Sequence, residues 1–390
     1  MKNTNLAIII GCYVGGIGVI RSLAVKNIRI IALSYEDVDF AHRSKYVSEW
    51  YSIPHPLKEE SSFVKFLLDK VDQWRGAVIF DTDDNIATSL SKNKHILSEH
   101  YRIVTADYDQ MSIFTNKDIA WKLALENDIP HPSNFKPVTR EEFQETKTQI
   151  KLPCLFKPVR GHEFRTVFNA KNFVINTPDE YDHYMNLCIE KDQQVMVQEI
   201  IPGPDTLLYK CMTYINSSGE PVGFFFYNKL RQNPPGFGVI RVCKSASYNP
   251  EIADLFDKIL KASGYRGFIT VEFKHDLRDN KLKFIEANVR MPRNNWLPYS
   301  CGVNFPWIIF SDQANNSYIT FKSYDDNKYW IELYSDLLNS VFRHAKENFS
   351  LKEYLAPYLS GNKTFAVFNL KDPLPFIYQT FKLLRFVKSI

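Results

Sequence analysis

At 390 residues, 45% of them hydrophobic and 24% charged, the chain is long enough for two or three domains with apolar cores, and its composition is that of an ordinary globular protein. The net charge of +4 is spread along the sequence and gives no basis for a nucleic-acid partner. The six cysteines show no C-x-x-C and no histidine at metal-ligand spacing, which argues against a disulfide framework or a zinc site and fits a reducing, cytoplasmic setting.

The opening "MKNTNLAIIIGCYVGGIGVIRSLA" imitates a secretory signal, but Gly11, Gly15, Gly16 and Gly18 interrupt its apolar run and a second buried strand, "IRIIAL", follows. No apolar run approaches the ~18 residues of a membrane span. "LAIII", the glycines, "GVIRSLAVKN" and "IRIIAL" read as strand, turn, helix and strand, the start of a doubly wound parallel sheet. "SSFVKFLLDKVDQW" has helical spacing and "GAVIFD" is a short buried strand. "DTDDNIATSLSKNKHIL" then offers Asp81 and Thr82 where a helix N-terminus wants them. An α/β domain is therefore expected over residues 1–115. Its glycines match a dinucleotide fingerprint only loosely, with Glu36 or Asp37 as the acidic residue. A nucleotide-binding turn and a tight turn that needs small residues both remain open.

After Asn116 and Lys117 come a helix, "DIAWKLALEND", and the proline-rich "IPHPSNFKP". From there "LPCLFKPV", "NFVI", "QVMVQEIIPG", "TLLYKCMTYI", "VGFFFYNKL", "FGVIRVCKSA", "GFITVEFKHD" and "LKFIEANV" predict strands, with helices near 178–190 and 250–263. This is an antiparallel α+β texture over residues 116–320. Residues 321–390 form a C-terminal extension with a helix-like "KYWIELYSDLLNSVFRHAKENF" and a closing "DPLPFIYQTFKLLRFVKSI".

The stretch "FIEANVRMPRNNW" carries the densest chemistry. "GFITVEFKHD" and "KLKFIEANVR" flank a polar turn and should pair as a hairpin. Strand alternation then puts Glu286, Asn288 and Arg290 on one face with Glu272 opposite. Buried carboxylates need a cation, and two carboxylates with an amide are hard oxygen ligands suited to Mg²⁺ or Mn²⁺. Arg290 and Arg293 beside such a metal suit a phosphate or carboxylate. A solvated hairpin face with a Glu/Arg salt-bridge network is the other reading of the same residues.

Together these motifs resemble the ATP-grasp superfamily. "LPCLFKPVRG" resembles its strand with a phosphate-binding lysine, here Lys157, and "TNKDIAWKLALENDIPHP" the segment with a first lysine, Lys117. "VQEIIPGPDTLLYK" is similar to its adenine-reading hinge. The resemblance implies Gln198, Glu199 and the backbone near Ile201 against the base, and Asp205 on the ribose. It also implies Glu272, Glu286 and Asn288 on the metal. "EANVRMPR" is most similar to the motif of carbamoyl-phosphate synthetases and D-aspartate ligases. The lid departs from the family pattern: "VRGHEFRTVFNAKNF" has a single glycine, Gly161, amid Arg160, His162, Glu163, Arg165 and Lys171.

The implied fold is ATP-grasp behind an N-terminal Rossmann-like domain. The implied activity is an ATP-dependent, ADP-forming carboxylate–amine ligase that works through an acyl phosphate, with an amino acid added to a cell-envelope precursor as one version. A carboxylase or kinase acting on a small acid, or a non-catalytic ATP-binding module, are the alternatives. For the substrate, Arg241 would bind a carboxylate or sit as a salt-bridged core arginine, and Asp83 in "FDTDDN" would bind an ammonium group. His162 would touch phosphate or lie on a surface loop. The closing helix sets apolar residues against Lys382, Arg385 and Lys388, and would either pack on the domain or touch a membrane surface.

Overall fold

The computed structural model describes residues 5–159, 161–236, 238–343 and 350–388. The first sheet is parallel, in the order β3-β2-β1-β4-β5, from β1 (Leu6–Ile10), β2 (Arg29–Ser34), β3 (Glu49–Ser52), β4 (Val78–Asp81) and β5 (Arg102–Ile103). Every residue of β1 and β4 is buried, as strands covered by helices on both faces require. Strand order reverses between β1 and β4, so the turns after Ile10 and Asp81 open side by side at a crevice.

Gly11 begins the first turn at φ +87°, where a side chain would be strained and would meet the Thr82 hydroxyl. The helix Val14–Ala24 then runs against the segment 292–296. A Cβ on Gly18 would overlap the Asn295 side chain, and Asn295 donates through Nδ2 to Gly15 O at 2.8 Å. The glycines thus form a notch for a loop of the following domain.

The second sheet has the order β6-β9-β7-β8, built from β6 (Asn134–Phe135), β7 (Cys154–Pro158), β8 (Phe173–Ile175) and β9 (Val195–Glu199). The third, in the order β14-β13-β10-β11-β12-β15-β16, contains β10 (Leu208–Ile215), β11 (Phe225–Asn233), β12 (Val239–Ala246), β13 (Gly267–Asp276), β14 (Lys281–Asn288), β15 (Tyr329–Ile331) and β16 (Lys363–Phe365). All its pairs are antiparallel except β15 with β16. The helices Pro178–Glu190 and Pro250–Ser263 start on Thr177 and Asn249 caps with proline at the first turn, as their sequences demand.

Three local expectations differ from the structure. "SSFVKFLLDKVDQW" is split into Glu60–Asp69 and Val71–Trp74. "KYWIELYSDLL" opens as β15, because the buried Trp330 and Ile331 pair with β12 before the helix Leu333–Arg343 begins at the following leucine. The cap after β4 is Asp83, whose Oδ1 accepts from the Asn85 and Ile86 amides at 2.8 and 3.0 Å. Asp81 instead ends the strand, and Thr82 donates to the Ile10 and Gly11 carbonyls. All six cysteines are buried and unpaired, and no helix among the described residues is long and apolar enough to cross a membrane.

Candidate active site

A narrow cleft lies between β7 and β9 of the second sheet and β14 of the third. Lys117, Lys157, Gln198 and Glu286 line it, together with Trp121 and Phe284. Lys117 is the first residue of the helix Lys117–Glu126, which Asn116 caps through Asp118 N. Gln198 is held by its donation to Asn134 Oδ1 at 2.6 Å. Alternation along β9 turns Glu199 to the other face, where it accepts from Arg278 Nη1 at 2.6 Å, and only its backbone follows the cleft wall. Ile201 is buried just beyond. Asp205 sits in the short helix Asp205–Leu207 and accepts from Gln232 Nε2 at 2.7 Å.

Glu272 of β13 and Glu286 of β14 are direct cross-strand partners, with a bulge immediately after Glu272. Glu272 is buried and Glu286 opens into the cleft. Asn288 donates to Glu286 Oε1 at 3.2 Å. Two lysines absent from the sequence-based site complete the group. Lys210, opposite Glu272 on β10, forms an ion pair with it, and Lys229 Nζ of β11 lies 3.2 Å from Glu272 Oε2. Lys229 also donates to Gln232 Oε1 at 2.9 Å, so one chain of contacts runs from Asp205 to Glu272. A lysine inside the apolar strand "TLLYKCMTYI" was the available signal, since nothing but a facing carboxylate stabilises one there.

Desolvation works against ionisation of Glu286, but Lys210, Lys229, Lys157 and Lys171 overcome it and hold the carboxyl down to about 2. Desolvation opposes the charge of Glu272 as well, and Lys210 and Lys229 keep it below its ordinary value. Lys157 is drawn down to about 8, first by desolvation and then by its neighbour Lys117. Both glutamates are therefore anions at neutral pH and offer hard oxygens with Asn288. Buried Glu272 Oε2 faces the ammonium groups of both Lys210 and Lys229. This donor set fits Mg²⁺.

The arginines reach the first domain. Arg290 Nε contacts Asp84 Oδ1 at 2.7 Å, with Asp81 and Asp83 close enough to strengthen its charge. Arg293 Nη2 contacts Glu332 Oε2 at 2.6 Å, and its guanidinium carbon lies 4.9 Å from the centre of the Tyr13 ring. Asp83 is saturated by its two cap bonds and by the Tyr35 hydroxyl at 2.5 Å. Burial pushes Asp81 up to about 7. Arg241 is 1% exposed, with Nη1 3.8 Å from Asp336 Oδ1. Asp336 also takes both ends of Arg231, at 2.9 and 2.7 Å.

The lid segment is a helix, Gly161–Phe168, fastened by an aromatic cluster of Phe164, Phe168 and Phe173. Arg160 and the side chains of His162, Glu163 and Arg165 lie outside the described residues.

No family model matches the chain. No curated protein matches it in sequence. Solved structures do. N5-carboxyaminoimidazole synthetase from Staphylococcus aureus superposes with a TM-score of 0.67 at 14% identity, over 88% of this chain and 87% of that one. Biotin carboxylase from Campylobacter jejuni gives 0.65 at 14% identity over 83% and 74%. The L-amino acid ligase from Bacillus licheniformis gives 0.61 at 14% identity over 81% and 75%. In fold this chain is similar to these proteins: a parallel, Rossmann-like sheet followed by two largely antiparallel sheets around a cleft, the ATP-grasp arrangement.

Proposed function

We propose that the protein is an ATP-dependent ligase that joins a carboxylate to an amine and releases ADP and phosphate. The observation that carries the reading is the pair Glu272 and Glu286, facing each other at the cleft mouth among Lys157, Lys210 and Lys229. Such a cluster holds charge of both signs in a low-dielectric pocket, which is what bringing a carboxylate onto a triphosphate requires.

In this reading adenine lies between Trp121, Phe284 and Gln198, and Asp205 takes the ribose hydroxyls. Glu272, Glu286 and Asn288 would hold Mg²⁺, which would supply positive charge against the phosphates. Lys117 and Lys157 grip the phosphate oxygens. The substrate carboxylate attacks the γ-phosphorus, the bond to the bridging oxygen breaks, and ADP leaves. The amine then adds to the acyl carbon, phosphate departs with the C–O electron pair, and the amine gives its proton to solvent. Arg290 and Arg293 orient the acyl phosphate where the two domains meet. The acidic rim of Asp84 and Glu36 suits the amine, with Asp83 behind it.

The test is ADP and phosphate release from Mg²⁺–ATP across D- and L-amino acids, with and without cell-envelope peptide precursors. Turnover that needs one acid and one amine supports the ligase. Turnover with bicarbonate alone would replace it with the carboxylase chemistry that one of the similar structures is named for.

A further inference from the structure

The C-terminal helix Leu374–Lys388 is pinned rigidly at its start. Asp372 is buried, accepts from Arg21 Nε at 3.0 Å and Ser44 Oγ at 2.8 Å, and takes the Lys45 amide at 3.0 Å. Along the helix, Phe376 stacks on Tyr334 at 5.1 Å, and the hydroxyls of Tyr334 and Thr380 meet at 2.5 Å. Tyr378 lies 4.7 Å beneath the Arg43 guanidinium. These contacts satisfy the inner face.

The outer face is left apolar and open. Leu374, Ile377, Phe381 and Leu384 are 53, 44, 61 and 52% exposed. Their spacing of three, four and three residues keeps them in a single stripe along the helix. Leu370, just ahead of it, is 83% exposed. Large residues in such a row are covered by something in the working protein.

Charge identifies the cover. From Pro373 to Ile390 the sequence has Lys382, Arg385 and Lys388 and no acidic residue. Helical spacing puts positions 378, 382 and 385 in a row beside the stripe, although the Lys382 ammonium is turned to the Asp37 and Asp39 carbonyls, so the basic charge at this face rests on Arg43, Lys45 and the end of the helix sequence. At the same end of the molecule Arg43 and Lys45 are exposed, and Trp50, 47% exposed, lies 5.7 Å from Arg43. A second copy docked through the same face would oppose like charges, whereas an anionic lipid surface would meet them with phosphates and receive the stripe in its acyl boundary. A half-exposed Trp beside arginine is also what a membrane interface accommodates.

We propose that this helix is a peripheral membrane-binding surface, lying flat on anionic lipid and independent of the nucleotide site. At roughly 22 Å the helix is too short to span a bilayer and long enough to lie in its headgroup layer.

The experiment is sedimentation of the full-length protein with phosphatidylglycerol or phosphatidylcholine vesicles, at low and high salt. The wild type should pellet with phosphatidylglycerol, less at high salt, and weakly with phosphatidylcholine. The double variant Phe381→Ser/Leu384→Ser should lose on the order of tenfold in vesicle affinity with an unchanged melting curve. Leu351→Ser, at another exposed apolar residue, should bind as the wild type. Absence of wild-type binding, or equal binding by the double variant, overturns the proposal. So does a dimer in light scattering that the double variant converts to monomer, which would make the stripe a subunit contact.

Discussion

Glu332, the residue that follows β15 in the C-terminal extension, accepts from Arg293 Nη2 at 2.6 Å and is itself 2% exposed. The extension therefore supplies a buried carboxylate to the loop that carries the candidate catalytic arginines. Burial disfavours the Arg293 charge, and Glu332 with Tyr13 more than restores it. Replacing Glu332 with Ala should leave ATP affinity near the wild-type value and reduce turnover by about ten- to a hundredfold, with Glu332→Gln recovering part of it. Calorimetric ATP binding set against phosphate release separates the two. Loss of ATP binding in step with turnover would count against a positioning role.

Glu286→Ala should abolish ATP turnover while the far-ultraviolet circular dichroism spectrum stays that of the wild type, because the side chain opens into the cleft and is not part of the packed core. An active Glu286→Ala protein would remove the basis of the functional reading.

Lys210→Met should cost stability on the order of 3–5 kcal/mol at neutral pH, since it leaves the buried Glu272 carboxylate with one lysine partner, Lys229. The double variant Lys210→Met/Glu272→Leu should regain most of that. The sign with pH follows from the lowered Glu272 value. Its contribution is present above the unfolded glutamate pKa of about 4.3 and fades as pH falls through the lower folded value. Urea denaturation of the wild type and both variants over the acid range measures this, and a Lys210→Met protein as stable as the wild type would contradict it.

Asp81 behaves in the opposite sense. Burial raises it from 3.8 to about 7, so the folded protein prefers the protonated form. Its contribution is complete below the unfolded value and is lost as pH rises toward 7. Asp81→Asn should raise the melting temperature at pH 8 and change it little near pH 4; an equal shift at both would show that the carboxyl is charged throughout.

The layers of the fold were legible in the sequence because their residues obey simple local rules. "LAIII" and "VIFD" can only be doubly covered strands, and the Thr177 and Asn249 caps announce their helices. Glu272, Glu286 and Asn288 were legible because strand alternation alone puts them together. Lys210 and Lys229 were harder to read. Their meaning depends on which strands become neighbours, and β10 pairs with β13 across more than fifty intervening residues. "KYWIELYSD" misled for a related reason: its helical spacing is real, but pairing with β12 claims Tyr329, Trp330 and Ile331. Glu199 shows the converse, since the resemblance to a hinge motif sets it against the base while Arg278, from a distant turn, decides where its carboxylate goes.

The glycine notch has a mechanical consequence. With Gly15 and Gly18 meshed against Asn295, Arg290 fastened to Asp84 and Arg293 set over the Tyr13 ring, the first and third sheets are bolted together. If the cleft closes on the nucleotide proposed for it, the part left to move is the four-stranded sheet with the helix Gly161–Phe168, a jaw against a fixed anvil.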